Sequence, residues 1–183
     1  MQHETRAWLA DLEVRTGVGD GRTIVGLAAP FEQPTEIADQ SGVYTETIHR
    51  GAFTRTIAER GDKVRLMTLH DPRQLPIGRA VSLREDTAGL IAEMRVSNTA
   101  AGNDALELIR DGTVTGLSIG FIPIRSTWSA DRTQRSLHEI RLQEISLVPD
   151  GAYPTAQVLG VRSGTDPFLE VAYARLELLK AAK

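Results

Sequence analysis

The chain has 183 residues, of which 25% are charged and 41% are hydrophobic, and its formal net charge is -3. The length and the hydrophobic content predict one domain with a hydrophobic core. The negative net charge gives no overall positive potential that would attract nucleic acid or anionic lipid. Cysteine is absent and the four histidines lack metal-ligand spacing, which excludes disulfides, thiolate sites and cysteine nucleophiles and predicts no metal and no cofactor. No apolar run approaches the roughly 18 residues of a membrane span, so we expect a soluble, cytoplasmic protein.

Short strand-like runs separated by turn signals dominate the first two thirds of the chain. This alternation predicts a mainly β fold of the α+β class, with a few inserted helices. Glycines between residues 17 and 21 supply a turn between the first two strands, since glycine adopts positive φ at little cost. The early strands are predicted at residues 7–15, 23–29, 43–48, 64–70, 78–84 and 89–97.

Apolar residues recur at helical spacing in two segments, which predicts helices at residues 52–60 and 103–111. Two later strands are predicted at residues 115–124 and 137–148. The segment between them, 125–136, is polar and is predicted to be a mobile hairpin loop.

The C-terminal part of the chain is predicted to hold a last strand and a separate helix. The strand lies at residues 156–161, and the helix starts at Asp166, which is placed to cap it, with Pro167 in its first turn. An apolar stripe along this helix predicts docking on the domain or on a partner. We therefore divide the chain into a domain at 1–163 and a helical tail at 164–183.

A serine between two glycines interrupts an apolar run at residues 116–121, GLSIGF. On a strand, residues two apart share a face, so Gly116 and Gly120 leave an open lane for an extended substrate beside the Ser118 hydroxyl. The apolar residues between them anchor the opposite face in the core. Ser118 is therefore a candidate nucleophile, presented on the outward face of its strand.

A serine hydroxyl needs a base to take its proton and a third group to orient that base. Of the four histidines, His70 ends a predicted strand directly before Asp71 and Pro72, which places it at the rim of the sheet. Asp71 is not the expected third group, because neighbouring strand residues point to opposite faces. His70 is the candidate base.

The third group is open between two residues of the last long strand. Glu144 shares the parity of apolar neighbours, so we expect its carboxylate to be partly desolvated and to need a cationic or hydrogen-bonding partner. His138 has the same parity but lies about 20 Å away along an extended strand, so both cannot flank His70. The alternative for Glu144 is a structural ion pair with an arginine such as Arg79 or Arg95.

The same serine matches the G-x-S-x-G nucleophile elbow of α/β-hydrolases, which would indicate a small esterase. In that fold the elbow opens a helix, and the histidine follows the serine in the chain. Here Pro123 and β-branched neighbours oppose a helix, and His138 is the one histidine after Ser118. We therefore prefer the strand interpretation.

Short segments that combine glycine, apolar and functional polar residues recur along most of the chain. They are GLAAPF at 26–31, IHRGAF at 48–53, LHDP at 69–72, IGR at 77–79, GLSIGF at 116–121, LQEISLV at 142–148 and AYP at 152–154. In this order they resemble the prohead maturation proteases of tailed bacteriophages, which are relatives of the herpesvirus assemblin proteases.

The resemblance implies a serine endopeptidase on a closed antiparallel β-barrel surrounded by helices, as in the herpesvirus enzymes. Carried over onto the matching positions, it implies His70 as the general base, Ser118 as the nucleophile and Glu144 as the third member, where the herpesvirus relatives have a second histidine. By position alone, backbone amides are predicted to serve as oxyanion donors at Gly151, Ala152 and Tyr153.

The resemblance also implies a place of action and partners. Such proteases work inside the procapsid in the bacterial host cytoplasm, where they cleave the scaffold or the N-terminal extension of the major capsid protein and often themselves. A homodimer or higher oligomer, and self-cleavage within residues 125–136 or in the C-terminal tail, are implied as well. We predict no nucleic-acid or membrane partner. The alternative from another class is a non-catalytic capsid-assembly or scaffold module on the same fold.

Overall fold

The computed structural model describes residues 3–9, 12–15, 20–39 and 42–149. Their strands are β1 (Glu4–Leu9), β2 (Glu13–Arg15), β3 (Thr23–Pro30), β4 (Thr35–Asp39), β5 (Gly42–Ile48), β6 (Arg65–Thr68), β7 (Gly78–Glu85), β8 (Gly89–Val96), β9 (Gly116–Trp128) and β10 (Gln134–Val148). The helices are α1 (Thr54–Arg60), a following 3₁₀ turn (Gly61–Lys63) and α2 (Ala100–Arg110). The predicted mainly β class with inserted helices is confirmed.

One sheet contains all of these strands, and β10 lies at its centre. Neighbouring strands follow the path β1-β9-β10-β6-β7-β8-β3-β2, with β5 paired to the first half of β10 and β4 paired to β5. β10 is antiparallel to β9 but parallel to β5 and β6. The prediction of a purely antiparallel arrangement is therefore wrong, because β5, α1 and β6 follow one another along one edge of β10, in the same direction as that strand.

The sheet curls without closing within the described residues. β1 and β2 are the two ends of the strand path, and the curvature brings β3 alongside β9 and β1. Shifts of register in β3, β7 and β10 mark bulges, which bend and twist a sheet. The described strands form a half-barrel, and the closed barrel that the resemblance implied is not confirmed.

Alternation along the strands sends apolar side chains into one core. On β9, the side chains of Leu117, Ile119 and Phe121 are at most 1% exposed. They share a cluster with Leu106 of α2 and with Phe53, which directly precedes α1. The opposite, outer face of β9 and of its neighbours β10 and β6 is therefore the surface on which candidate functional side chains lie.

Helix α1 replaces a strand partner along the middle of β10. Between its pairings with β5 and with β6, β10 receives hydrogen bonds from this helix and from the residues just before it. The Thr56 hydroxyl donates to Ile140 O (2.7 Å) and accepts from Leu142 N–H (3.1 Å), and Ala52 O accepts from Ile140 N–H (2.8 Å). The backbone of β10 is thus held just before Glu144.

A buried ion network joins β1, β5 and β10. Glu46, which is 3% exposed, accepts hydrogen bonds from Arg6 (2.7 and 3.1 Å) and from Arg135 (3.1 Å). Glu4 accepts one further bond from Arg6 and two from Arg135. Burial and a hydrogen-bonded carboxylate raise the pKa of the neighbouring Tyr44 to about 12. The network holds β1 against the rest of the sheet, with both of its arginines neutralised.

The N-terminal strands differ from the prediction. The single strand predicted at residues 7–15 is divided into β1 and β2, because β1 pairs with β9 whereas β2 pairs with β3. β4 was not predicted, since three of its five residues are exposed and polar or small. Its pairing with β5 supplies the order that its own sequence does not indicate.

The segment at residues 125–136 is not the mobile loop that its polarity predicted. β9 continues to Trp128 and β10 begins at Gln134, so a short turn joins two long paired strands. Within the turn, Asp131 Oδ1 accepts hydrogen bonds from the hydroxyls of Ser129 (2.5 Å) and Thr133 (2.9 Å). These hydrogen bonds hold the turn in place.

Several predictions lie outside the described residues. These are the strand at 156–161, the tail helix from Asp166, the boundary at 163/164 and the oxyanion donors at Gly151, Ala152 and Tyr153. Within the described ranges, no helix is long and apolar enough to cross a membrane. The same residues contain no group of three or more histidine and acidic side chains that could hold a metal ion.

Candidate active site

Ser118 lies on the outer face of β9, in the interior of the sheet. Its cross-strand neighbours are Ala7 on β1 and Ser146 on β10. We predicted that Ser118 is presented to solvent, but the residue is only 2% exposed. A central strand has neighbours on both sides, and here the imidazole of His70 also lies against the hydroxyl.

The strand around Ser118 excludes the nucleophile elbow. β9 runs for 13 residues from Gly116 to Trp128, and Ser118 is followed by strand rather than by helix. In an α/β-hydrolase the helix begins at the nucleophile. The esterase interpretation is therefore wrong.

A tight turn after β6 places His70 over the sheet. β6 ends at Thr68 rather than at His70, and both Leu69 and His70 adopt left-handed backbone, with φ of 52° and 54°. This conformation is strained for such side chains. Two hydrogen bonds to β10 hold it: Leu69 N–H donates to Leu147 O (3.0 Å), and His70 N–H donates to Ser146 Oγ (3.1 Å). Backbone strain of this kind is concentrated at functional sites.

A β-bulge turns Glu144 onto the same outer face. Leu142 pairs with Phe121 and Glu144 pairs with Gly120, so Gln143 is an extra residue on β10. A bulge of one residue reverses the alternation of faces. Simple parity predicted that Glu144 and Leu142 share a face, but the bulge places them on opposite faces. The side chain of Glu144 is nevertheless largely desolvated, with 13% exposure.

The His70 imidazole bridges Ser118 and Glu144. Its Nδ1 is hydrogen-bonded to Glu144 Oε1, and its Nε2 is hydrogen-bonded to Ser118 Oγ. A carboxylate accepts but does not donate, so the neutral ring carries its proton on Nδ1 and accepts the Ser118 O–H at Nε2. Such an arrangement can draw a proton from the serine as it attacks.

Ser146 connects the backbone of His70 to the carboxylate of Glu144, and we did not predict this role from the sequence. Its hydroxyl donates to Glu144 Oε2 (2.7 Å) and accepts from His70 N–H (3.1 Å). The residue is fully buried and lies beside Ser118 across the sheet. The sequence does show that Ser146 lies two residues after Glu144, and residues two apart on a strand share a face. Ser146 thus fixes the backbone of His70 and the second oxygen of Glu144 together.

Comparison with known proteins identifies the family of the chain. The family model of the caudovirus prohead serine proteases matches residues 10–170, a range that includes Ser118, His70 and Glu144. This chain belongs to that family. The family relationship confirms the resemblance to phage prohead proteases, whereas the relationship to herpesvirus proteases stays a prediction.

Two phage proteins are similar to the chain. The prohead protease of Enterobacteria phage HK97 is 29% identical over 150 residues, which cover 81% of this chain and 64% of that protein. The chain therefore spans less than two thirds of this relative. The structure of the bacteriophage T4 capsid assembly protease, gp21, matches with a TM-score of 0.59 and 14% identity over 80% of this chain and 96% of that one, which shows a shared fold.

In this family member, the Glu144 carboxylate occupies the space beside Gly120. A Cβ atom on Gly120 would lie 2.9 Å from Glu144 Cδ and 2.8 Å from His3 Nε2, with Glu144 Oε1 nearer still. We predicted this space as part of a lane for substrate, but the described side chains fill it. The absence of a side chain at Gly120 lets Glu144 reach His70. That Gly116 lines a lane for substrate stays a prediction.

The other candidate partners of His70 have contacts elsewhere. The ring of His138 stacks on His49 with 4.8 Å between centroids, and its Nε2 is 2.9 Å from Thr127 Oγ1. The Asp71 carboxylate accepts bonds from the Arg73 side chain (2.9 and 3.0 Å), which hold the pKa of Asp71 below its usual value. Of the three alternatives, the structure brings Glu144 to His70.

Proposed function

We propose that this chain is a serine endopeptidase of phage head maturation, with Ser118 as nucleophile, His70 as general base and Glu144 as the residue that orients the base. The observation that carries the proposal is the His70 imidazole, bonded on one side to Ser118 Oγ and on the other to Glu144 Oε1. Membership of the prohead serine protease family supports the reaction class.

The proposed reaction proceeds through an acyl-enzyme. Ser118 Oγ attacks the carbonyl carbon of the scissile peptide bond while its proton passes to His70 Nε2. The resulting imidazolium is stabilised by the Glu144 carboxylate on Nδ1. Nε2 then gives its proton to the leaving amine, which leaves an ester on Ser118. A water molecule, deprotonated by the same nitrogen, hydrolyses the ester and restores the hydroxyl.

Two further sets of groups support this reaction. Ser146 keeps the His70 backbone and the Glu144 carboxylate in register, so the imidazole does not have to be ordered during each turnover. The negative oxygen of the tetrahedral intermediate needs preorganised donors. For these we propose the backbone N–H groups of Gly151, Ala152 and Tyr153, which follow β10 in the chain.

The burial of Ser118 has a consequence for substrate access. At 2% exposure, its oxygen cannot meet a substrate carbonyl until neighbouring groups move aside. We propose that substrate binding, or assembly into an oligomer, opens the site. The closed arrangement would limit cleavage before the protease meets its substrate.

The relatives also suggest the substrate and the place of action. One is a prohead protease and the other a capsid assembly protease. We propose that this chain cleaves the scaffold or the N-terminal extension of the major capsid protein, and also itself, inside the procapsid in the host cytoplasm. We propose a homodimer or higher oligomer as the active form.

A non-catalytic capsid-assembly module is the second candidate, and the buried Ser118 favours it. Co-expression with the neighbouring capsid gene separates the two functions, because products can be measured by mass spectrometry with and without Ser118→Ala. The protease proposal predicts defined cleavage products that disappear in the variant. Cleavage that persists in Ser118→Ala, or an intact precursor beside the wild-type chain, would contradict it.

A further inference from the structure

Arginines lie side by side across the outer face of the sheet, beginning next to Glu144. In the strand register, Glu144 on β10 pairs with Arg65 on β6, Arg65 pairs with Arg79 on β7, and Arg79 pairs with Arg95 on β8. Cross-strand partners lie on one face of a sheet. At a strand spacing of about 4.8 Å, the row extends about 14 Å from Glu144.

Two of these arginines have no counter-ion among the described residues. Arg95 is neutralised by Asp20, with two bonds of 2.6 Å. Arg79 donates one long bond to its neighbour's backbone, Ala80 O (3.5 Å), and no described carboxylate forms an ion pair with Arg79 or Arg65. The ion pair of Glu144 with Arg79 or Arg95, which we considered from the sequence, is therefore not formed.

The direct pairing of Arg65 with Arg79 is unfavourable on its own. Like charges opposite each other on neighbouring strands destabilise a sheet. Both side chains are exposed, so water reduces the repulsion but provides no specific partner. An anionic ligand between them would remove the repulsion and gain hydrogen bonds from guanidinium groups, which are suited to carboxylates.

A cavity connects this row to the candidate catalytic centre. It has a volume of about 290 Å³ and is lined by His70 and Glu144 together with Arg60, Arg65, Gln74 and Gln143, among others. The Arg60 Nε atom is buried and has no hydrogen-bond partner. Among the described lining residues, Glu144 is the one carboxylate, and its oxygens are already bonded to His70 and Ser146. The cavity thus has arginines in its lining but no uncommitted carboxylate among its described lining residues.

We propose that Arg60, Arg65 and Arg79 form a docking site for acidic side chains of the polypeptide substrate. This inference rests on the proposed function, since it places the site beside the reacting serine and histidine. Arg60 and Arg65 would bind a carboxylate in the cavity, and Arg79 would bind a second one on the open face. Acidic residues near the scissile bond would then position it against the catalytic centre.

A polypeptide fits this surface better than a nucleic acid does. Single-stranded nucleic acids are typically bound by aromatic platforms as well as by basic grooves, and the described residues that line the cavity include no Phe, Tyr or Trp. The net charge of the whole chain is -3, so there is no general attraction for phosphate backbones. Arg65 and Arg79, which form no ion pair with a described carboxylate, lie in one row beside the site.

Binding to the inactive full-length Ser118→Ala chain tests the docking site without any cleavage. The probes are a fluorescein-labelled decapeptide with glutamate at alternate positions and a matched peptide with glutamine at those positions, measured by fluorescence anisotropy. We expect the glutamate peptide to bind more tightly, with an advantage that shrinks at high salt. Arg65→Gln and Arg79→Gln should each weaken its binding by roughly fivefold.

The matched control is Arg55→Gln. Arg55 is an exposed arginine of α1 that pairs with Glu59, and its loss should leave peptide affinity unchanged. Equal affinity for the two peptides, or equal effects of the Arg55 and Arg65 changes, would overturn the docking site. So would a single-stranded 20-nucleotide DNA that binds more tightly than the glutamate peptide and depends on the same arginines.

A cleavage measurement separates this inference from the proposed function. In the chain with Ser118 restored, Arg65→Gln should raise KM for a glutamate-containing substrate peptide and leave KM for the glutamine peptide unchanged. If no variant cleaves but the arginine-dependent binding is present, the protease proposal fails and the docking site stands. If cleavage occurs and KM for both peptides is insensitive to Arg65, the docking site fails and the protease proposal stands.

Discussion

Replacing Gly120 with alanine tests whether the Glu144 carboxylate must lie where the structure places it. The new methyl carbon would be 2.9 Å from Glu144 Cδ and 2.8 Å from His3 Nε2, with Glu144 Oε1 nearer still. Non-bonded carbon atoms are at optimal contact at about 3.5–4.0 Å, so the carboxylate must withdraw by on the order of 1 Å. The atom that is displaced most is the one that is bonded to His70 Nδ1.

A displacement of this size has a predictable effect on the rate. Misplacement by about 1 Å costs on the order of 100-fold in enzymatic reactions, so kcat/KM should fall about 100-fold, mainly through kcat. Overpacking costs about 1–3 kcal/mol of stability, and the unfolding transition must therefore be measured beside activity. The assay is cleavage of a peptide that carries the junction found by co-expression with the capsid precursor.

The control is Gly61→Ala. Gly61 has ordinary helical backbone with φ of -54°, and no atom lies within 4 Å of a Cβ placed there. This variant should keep full activity. If Gly120→Ala is folded and cleaves at the wild-type rate, Glu144 does not orient His70, and the reasoning from its position is refuted.

Three further predictions concern the surroundings of His70. Glu144→Gln should lower kcat by on the order of 10³- to 10⁴-fold, whereas His138→Ala should lower it far less; the reverse order, measured with the same peptide, would assign the third group to His138. Ser146→Ala should lower kcat with little change in KM, and it should lower the free energy of unfolding in denaturant by about 1–3 kcal/mol. Ser136→Ala, on the same strand, should change neither kcat nor the free energy of unfolding. An unaltered kcat in Ser146→Ala would show that Ser146 does not position the catalytic groups. Burial, then the neighbouring positive charges, lower the pKa of His138 from 6.5. As the pH drops below about 6.5, the His138 side chain is protonated in the unfolded chain before it is protonated in the folded one, so the free energy of unfolding should fall. In His138→Gln the decrease in Tm between pH 7.5 and 5.5 should be smaller, and an identical decrease would contradict the lowered pKa of His138.

Much of the candidate site could be predicted because it depends on residue type and chain order. Ser118 is a polar residue in an apolar run, and His70 is a histidine at the end of a predicted strand. The glycine at 120 was also noticed from the sequence, although for another reason. Its actual neighbour is the Glu144 carboxylate, which is a contact between strands that no pattern within one strand reveals.

The errors arose where the backbone departs from regular alternation. The bulge at Gln143 reverses the faces of β10, and the left-handed turn at Leu69 and His70 redirects the imidazole. Neither has a glycine or proline at the position itself, so local propensity gives no warning. Both are held by tertiary hydrogen bonds, to Thr56 on α1 and to Ser146 on β10. Such features depend on partners that are distant in the chain.

The mixed sheet was missed for a related reason. Antiparallel pairing was carried over from the resemblance, and strand direction is not encoded in the alternation of a single strand. The path from β5 through α1 to β6 makes both strands parallel to β10. This connection matters for function, because it brings the end of β6, and therefore His70, beside Ser146 and Glu144.

Labelling with a fluorophosphonate identifies the nucleophile, because this reagent forms a stable ester with an activated serine. The chain is treated with the reagent under the conditions in which it cleaves the capsid precursor, when the site is open, and the modified residue is located by peptide mass mapping. We expect a single adduct on Ser118 that is lost in His70→Ala. An adduct on Ser146, equal labelling without His70, or no adduct on a chain that cleaves its substrate would contradict Ser118 as the nucleophile.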